Sequence, residues 1–323
     1  MNNDKITYLV FGIVLLLALI ADLGILSKND KKVTIRQALY QTFFWVSLAM
    51  GFFVFMWIEK GQTLALEYLS AYLMEWSLSI DNIFVFILIF ASFGVKEKQY
   101  GRVLLIGILM AIVFRVIFIT IGVALVDRFS WILYIFGVFL VYTGIKMFSS
   151  GDEEAFDPKD SKIYKFVRRV LPIVPHDGGG KFTVIQNGKK YYTILFVVVI
   201  MLAGIDLVFA LDSIPAVMGI SRDKLVIYTS NIFAVLGLRS LFFLLRGAVS
   251  KFDFLQQGIA IVLVFIGLKM LGEHWIRDWI SKTTQVFISL GVILLCISGS
   301  IFYSIFMKRK GLPPDRVDHS INQ

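Results

Sequence analysis

Glu75-Trp76-Ser77-Leu78-Ser79-Ile80-Asp81-Asn82 decides the fold of this chain, because it recurs as Asp206-Leu207-Val208-Phe209-Ala210-Leu211-Asp212-Ser213. In each copy two carboxylates stand six positions apart, and a small residue with an oxygen donor follows the second. Both copies lie within apolar runs too long for a water-soluble core. A carboxylate at the centre of a bilayer costs about 2.5–3.5 kcal/mol on insertion scales. Four of them in two matched pairs point to a cation site in a membrane protein.

The composition agrees. Of 323 residues 58% are hydrophobic, 17% are charged and the mean hydropathy is +0.78. Soluble domains run at roughly 45–50% apolar and about 25% charged. The net charge of +9 has a topological explanation, because basic residues beside membrane spans orient them. Nucleic-acid binding is therefore not expected. Cys296 is the single cysteine, so no disulfide can form within the chain. His176, His274 and His319 fall in connections or in the tail. Thiolate and imidazole ligands are thus not available for a soft-metal site, and oxygen donors remain.

Periodicity and length predict an all-α polytopic protein of about nine spans, near 6–26, 40–58, 68–93, 102–126, 131–149, 193–220, 224–247, 255–273 and 284–306. Each is long enough, at about 1.5 Å per residue, to cross a hydrocarbon core of about 30 Å. The first lacks a basic n-region and a small-residue cleavage site, so it reads as a span and not a signal peptide. Taken alternately, the connections carry 21 basic residues on one side and 7 on the other. The positive-inside rule puts the richer set in the cytoplasm, with the N-terminus outside and the C-terminus inside. Trp57 and Trp131 lie near span ends, where interfacial anchors belong.

Four basic residues fall inside spans, again as two matched pairs. Phe114-Arg115-Val116-Ile117-Phe118 parallels Leu238-Arg239-Ser240-Leu241-Phe242, and Gly144-Ile145-Lys146-Met147 parallels Gly267-Leu268-Lys269-Met270. With the carboxylate motifs, they define a repeat of three spans. An odd number of spans per copy inverts the second copy, a recurring transporter plan. The chain then divides into two N-terminal spans (1–58), a first repeat (59–149), a cytoplasmic loop (150–192), a second repeat (193–273), and a last span with a cytoplasmic tail (274–323). Lys146 and Lys269, near span ends, are expected to snorkel. Arg115 and Arg239 sit deeper, where they neutralise the carboxylates in the absence of an ion or cap neighbouring carbonyls.

In the 150–192 loop, Ser161–Leu171 reads as a short basic amphipathic helix at the membrane surface. The residues from Phe182 to Tyr192 read as a hairpin turning at Asn187-Gly188. Gly178-Gly179-Gly180 reads as a flexible stretch, since no Lys-Ser/Thr follows to make a phosphate loop.

On a straight helix, positions six apart are separated by about 120° around the axis. Glu75 and Asp81 would then face different neighbours, unless the helix unwinds. Pro215 favours a break in the second copy, because it removes the bond to the Leu211 carbonyl. An oxygen-only site with several carboxylates suits Mg²⁺, Mn²⁺ or Ca²⁺. The candidate ligands are Glu75, Asp81, Asn82, Asp206, Asp212 and Ser213. Asp22, near the inner end of the first span, is a candidate for the ion pathway.

Glu75-x-Ser-Leu-Ser-Ile-Asp-Asn82, Phe209-Ala-Leu-Asp-Ser-Ile-Pro-Ala216, Thr229-Ser-Asn-Ile-Phe-Ala-Val-Leu-Gly-Leu-Arg239 and the Asn187-Gly188 hairpin together resemble the TerC family of integral membrane proteins and its Alx-like members. The likeness covers most of residues 30–275. It implies a bacterial inner-membrane or thylakoid-type protein related to the LysE-like exporters. It also implies a link to Mn²⁺ export, to metal supply for secreted enzymes, or to tellurium resistance. Carried over position by position, the acidic membrane residues are Glu75, Asp81, Asp206 and Asp212, with Asn82 beside them. Family members often carry a Glu three residues before the second copy's first Asp, where this chain has Ala203. The loss of a carboxylate there bears on affinity, ion preference or proton coupling.

The expected function is export of a divalent cation, Mn²⁺ by resemblance, with proton antiport on raised carboxylate pKa values. The rival is a membrane scaffold that delivers metal to secreted or membrane proteins, with the 150–192 loop recruiting protein partners. An enzyme is not expected, as no nucleophile–base–orienter set is visible, and neither a catalytic residue nor a cofactor is assigned.

Overall fold

The computed structural model describes residues 7, 9–16, 20, 33–149, 158–186, 188–246 and 254–309. Asp22 and Asn187 lie outside them. Helix α1 is helical over 9–16. The others are α2 (Ile35–Lys60), α3 (Gln62–Ser92), α4 (Glu97–Arg128), α5 (Ile132–Ser149), α6 (Lys162–Val170), α7 (Ile194–Ile220), α8 (Lys224–Leu245), α9 (Leu255–Leu271), α10 (Glu273–Trp279) and α11 (Lys282–Arg309). Six of them, α2, α3, α4, α7, α8 and α11, are long and apolar enough to cross a membrane, and α5 and α9 are shorter apolar helices. Several helices overrun the predicted spans. In particular α3 begins at Gln62 where the sequence suggested about 68, which brings Glu67 inside the helix.

Local chemistry sets the helix ends. Thr34 and Gln37 close a capping box at the start of α2, the Thr34 hydroxyl accepting from the Gln37 N–H. A single residue, Gly61, separates α2 from α3; its φ of +86° is open to glycine and strained for other residues. Asp223 caps α8 through the N–H groups of Leu225 and Val226.

Helix packing crosses the two halves of the chain. The main contacts are α3 on α8, α4 on α7 and α5 on α9. Helix α8 is the centre, buried from Leu225 to Phe243 on nearly every side. A helix that is apolar around its whole circumference belongs inside a bundle. Helices α5 and α9 run antiparallel at close range. A Cβ on Gly267 would lie 2.7 Å from the Gly137 carbonyl oxygen, and one on Gly144 would lie 2.7 Å from the Ala260 carbonyl oxygen. Such backbone approach through small residues is a signature of helix association in lipid. The outer faces of α2, α4, α5 and α11 expose Phe43, Ile58, Val113, Ile121, Val138 and Leu295. Apolar exposure on this scale marks a surface that meets lipid. Trp57, Trp131, Trp275 and Trp279 are all exposed at the same end of the bundle, at the level an aromatic belt would occupy.

Pro215 lies within α7, which continues as one helix to Ile220, so the predicted break is absent. A proline removes one backbone donor, and the buried surroundings of α7 hold the helix through that loss.

The loop between α5 and α7 is folded. Strands β1 (Thr183–Gln186) and β2 (Lys189–Tyr192) pair antiparallel with Gln186 opposite Lys189, as the hairpin reading requires. Gly178–Gly180 form a docked 3₁₀ turn where the sequence suggested flexibility. Asp177 accepts from Nζ of Lys96, the residue before α4 (2.9 Å), and from Gln99 Nε2 on α4 (3.1 Å), and Arg102 donates to the Gly180 carbonyl (3.2 Å). Helix α6 is capped by Ser161 and presses Ile163 against Gly204 of α7, while Val167 is buried and Phe166 and Val170 are exposed. One face of α6 thus packs on the bundle, which membrane-surface binding alone would not require.

Candidate cation site between the two halves

Helix α3 carries Glu75, α4 carries Arg115, α7 carries Asp206 and α8 carries Asn231. The cross-packing of these helices brings the four side chains together. Arg115 Nε donates to Asp206 Oδ2 at 2.8 Å and Nη2 donates to Oδ1 at 3.1 Å. Its Nη1 donates to Glu75 Oε2 at 2.7 Å and to Asn231 Oδ1 at 2.9 Å. Asn231 Nδ2 in turn donates to the Ile227 carbonyl at 3.0 Å, which fixes its oxygen towards Arg115. Arginine suits this position because its planar fork matches a carboxylate through two parallel bonds.

The centre is dry. Glu75 and Asn231 are 0% exposed, and Arg115 and Asp206 are each 1% exposed. Two carboxylates face one guanidinium, so the ionised cluster carries an excess negative charge. Glu75 Oε1 has no hydrogen-bond partner, and further along α7 the buried hydroxyl of Ser213 has none either. An unmatched buried acceptor is costly. Here the acceptors are hard oxygens of the kind that ligate a divalent cation.

The other candidates are placed separately. Asp212 is half-buried and accepts a hydrogen bond from Thr143 of α5 at 3.3 Å. It lies six positions from Asp206 on a continuous helix, hence about 9 Å along the axis and on another face. Of the two geometries the sequence allowed, the straight helix with divergent carboxylates is the one observed. Asp81 lies on the continuous α3, although its side chain is outside the described set. Asn82 is buried on α3, and Arg239 is buried on α8. Among the described residues, no three Asp, Glu, His or Cys side chains cluster as a ready metal site. The cluster holds a guanidinium where the sequence reading placed an ion.

The lysine pair also diverges. Lys146 is exposed, as a snorkelling residue should be, whereas Lys269 is half-buried and donates to Ser289 at 3.1 Å. Two residues escaped the sequence reading. Asn231 lies inside the Thr229-Ser230-Asn231 motif, and its signal was a carboxamide in an apolar helix. Glu67 is 0% exposed on α3, and its signal was lost by starting that span at 68.

A bundle of apolar helices with a lipid-facing exterior and a buried carboxylate–guanidinium centre is a multi-pass integral membrane protein. The chain belongs to the integral membrane protein TerC family, whose model matches residues 60–312. It is 40% identical over 288 residues to "Uncharacterized membrane protein STKORF319" of Myxococcus xanthus, covering 89% of this chain and 88% of that protein. It is 38% identical over 302 residues to an "Uncharacterized membrane protein" of Rickettsia bellii, covering 94% and 98%. It is 36% identical over 310 residues to "Putative membrane-bound redox modulator Alx" of Escherichia coli K12, covering 93% and 96%. No solved structure matches the chain.

Proposed function

We propose that this protein exports a divalent cation, Mn²⁺ first among them, from the cytoplasm across the inner membrane. The observation that carries this reading is the buried Glu75–Asp206 pair holding one guanidinium, with a Glu75 oxygen left without a hydrogen bond. Arg115 acts as the resident counter-ion. An entering cation takes its place between the two carboxylates, with the Asn231 carboxamide oxygen as a further ligand. Asp212, Asp81, Asn82 and Ser213 serve the same ion elsewhere along its route, and the cross-packed halves move as inverted copies about the centre. The N-terminus faces outward and the C-terminus the cytoplasm, as the basic residues favour. The excess negative charge of the centre gives a proton a place to bind on the return step, so export is coupled to proton antiport.

The relative named as a redox modulator raises a second chemistry. A thiol–disulfide couple within one chain needs two cysteines, and this sequence has Cys296 alone. Charge-based transport uses the residues that are buried and paired. The scaffold reading rests on the folded, docked 158–193 segment as a partner surface, and it assigns the buried centre no task.

Uptake into inside-out vesicles, with Mn²⁺, Mg²⁺ and Ca²⁺ offered in parallel, tests the proposal. Saturable entry that follows an imposed pH gradient, and is lost in Asp206→Asn and Asp212→Asn, is expected. Entry indifferent to the gradient would remove the antiport, and no entry by folded protein would remove the exporter.

A further inference from the structure

A second fully buried carboxylate on α3 lies outside this centre. Glu67 stands eight residues before Glu75, about 12 Å towards the Gly61 end of the helix. Ser221, in the α7–α8 connection, donates its hydroxyl hydrogen to Glu67 Oε2. Lys282 Nζ lies 2.9 Å from Oε1, near enough for an ion pair but off the line of a hydrogen bond. The pair borders a cavity of about 180 Å³ whose polar lining includes Ser221, Lys269, Glu273 and Gln285. The Lys282 side chain is 70% exposed at the rim, while that of Glu67 is 0% exposed at the floor. Arg222 pairs with Glu273, and Lys269 turns to Ser289. Glu67 is therefore the one fully buried acid of this cavity, and its cation partner reaches it from solvent.

The identity of that partner matters. Lys282 is the first residue of α11. A cation at a helix N-terminus meets the positive end of the macrodipole. Its place is favoured by Glu67 and disfavoured by its own helix, so it is a counter-ion held loosely. The Arg115 centre differs, because its guanidinium is enclosed and bonded on three sides.

We propose that Glu67 is a second cation station, at the extracytoplasmic mouth, and that Lys282 is its tethered competitor. This rests on the exporter reading and deepens it. A divalent ion leaving the centre meets the Glu67 carboxylate, the Ser221 hydroxyl and the Gln285 amide oxygen in a cavity with room for water. Lys282 returns to Glu67 and displaces the ion outward. An exporter needs weak binding at its exit, and a lysine on the protein itself supplies the competition at any outside ion concentration. The cargo is a hard divalent cation, by the oxygen donors.

The test is Mn²⁺ binding to full-length protein in nanodiscs, read by loss of the free-ion paramagnetic resonance signal. It compares wild type, Lys282→Met, Glu67→Gln and the double variant, each also in an Asp206→Asn background that disables the centre. Lys282→Met should tighten one site about tenfold, which corresponds to about 1.4 kcal/mol of relieved competition. The double variant should lose that gain in both backgrounds, and Lys282→Arg should restore wild-type affinity. No tightening in a folded Lys282→Met protein, or tightening that survives Glu67→Gln, would overturn the proposal. Tightening by Lys282→Met that depends on Glu67, together with no vesicle transport by folded wild-type protein, would count against the exporter and leave the Glu67 site standing.

Discussion

Arg115 of α4 grips both carboxylate oxygens of Asp206 of α7, at 2.8 and 3.1 Å, across the boundary between the two halves of the chain. The same guanidinium reaches Glu75 at 2.7 Å. This one side chain therefore ties α3, α4 and α7 together in the buried interior. Removing either carboxylate leaves the other to balance Arg115, so the loss is of charge-assisted hydrogen bonds and not of a stranded charge.

Asp206→Asn should lower thermal stability by about 1.5–3 kcal/mol, since Arg115 loses its two-bonded partner while Glu75 still matches its charge. Asp212→Asn should leave stability nearly unchanged, because it disturbs one long hydrogen bond from Thr143. Both should abolish transport. Thermal unfolding in detergent, run beside vesicle uptake, separates the two roles; equal destabilisation by both substitutions would contradict the different places given to these carboxylates.

Arg115→Lys keeps the charge and loses the fork. The expected result is folded protein with lower stability than wild type and altered ion affinity. Arg115→Met leaves two facing buried carboxylates with no cation between them and should be destabilised more than Arg115→Lys. Melting temperatures of the two variants check the order.

Helix contact between α5 and α9 depends on missing side chains. Gly267→Ala and Gly144→Ala each force a methyl group to 2.7 Å from a carbonyl oxygen of the partner helix. Each should cost about 1–3 kcal/mol through overpacking. Gly51→Ala on α2, where a Cβ meets nothing within 4 Å, is the control and should be neutral or slightly stabilising. Melting temperatures of the three variants decide the matter.

The docked loop has its own pH signature. The Asp177 carboxyl is held down to about 2, first by the Lys96 hydrogen bond, then by Gln99 and the Gly179 N–H. An unperturbed Asp titrates near about 3.9. A depressed pKa contributes stability that is full above the unfolded value and is lost as the pH falls through the folded one. Docking of residues 172–193 should thus weaken between about pH 4 and about pH 2. Amide exchange of β1 and β2 should speed up over that window, and Asp177→Asn should give fast exchange at every pH.

Much of this was legible because the bilayer makes charge conspicuous. Glu75, Arg115 and Asp206 stood out in apolar runs, and only a cross-packed bundle could bring them together. The hairpin followed from Asn187-Gly188, since a two-residue turn fixes the register. Hydropathy could not give the direction each side chain takes on its helix. It therefore grouped Asp212 with Asp206, although a straight α7 turns them to different faces. Pro215 suggested a break because local rules omit the packing that holds α7 in line. Glu67 was missed because helices run past the apolar core, and a span ended by hydropathy excludes the turn that carries it. The likeness of Lys146 and Lys269 was a likeness of neighbours in sequence. Their surroundings differ, because α11 covers one and not the other.

The most direct test of the central claim is to locate Mn²⁺ itself, by anomalous diffraction at its absorption edge from crystals grown with the ion. The account requires a peak between the Glu75 and Asp206 carboxylates, with the Arg115 guanidinium withdrawn from at least one of them. An intact Arg115 fork at saturating Mn²⁺, with no peak at these carboxylates, would contradict it.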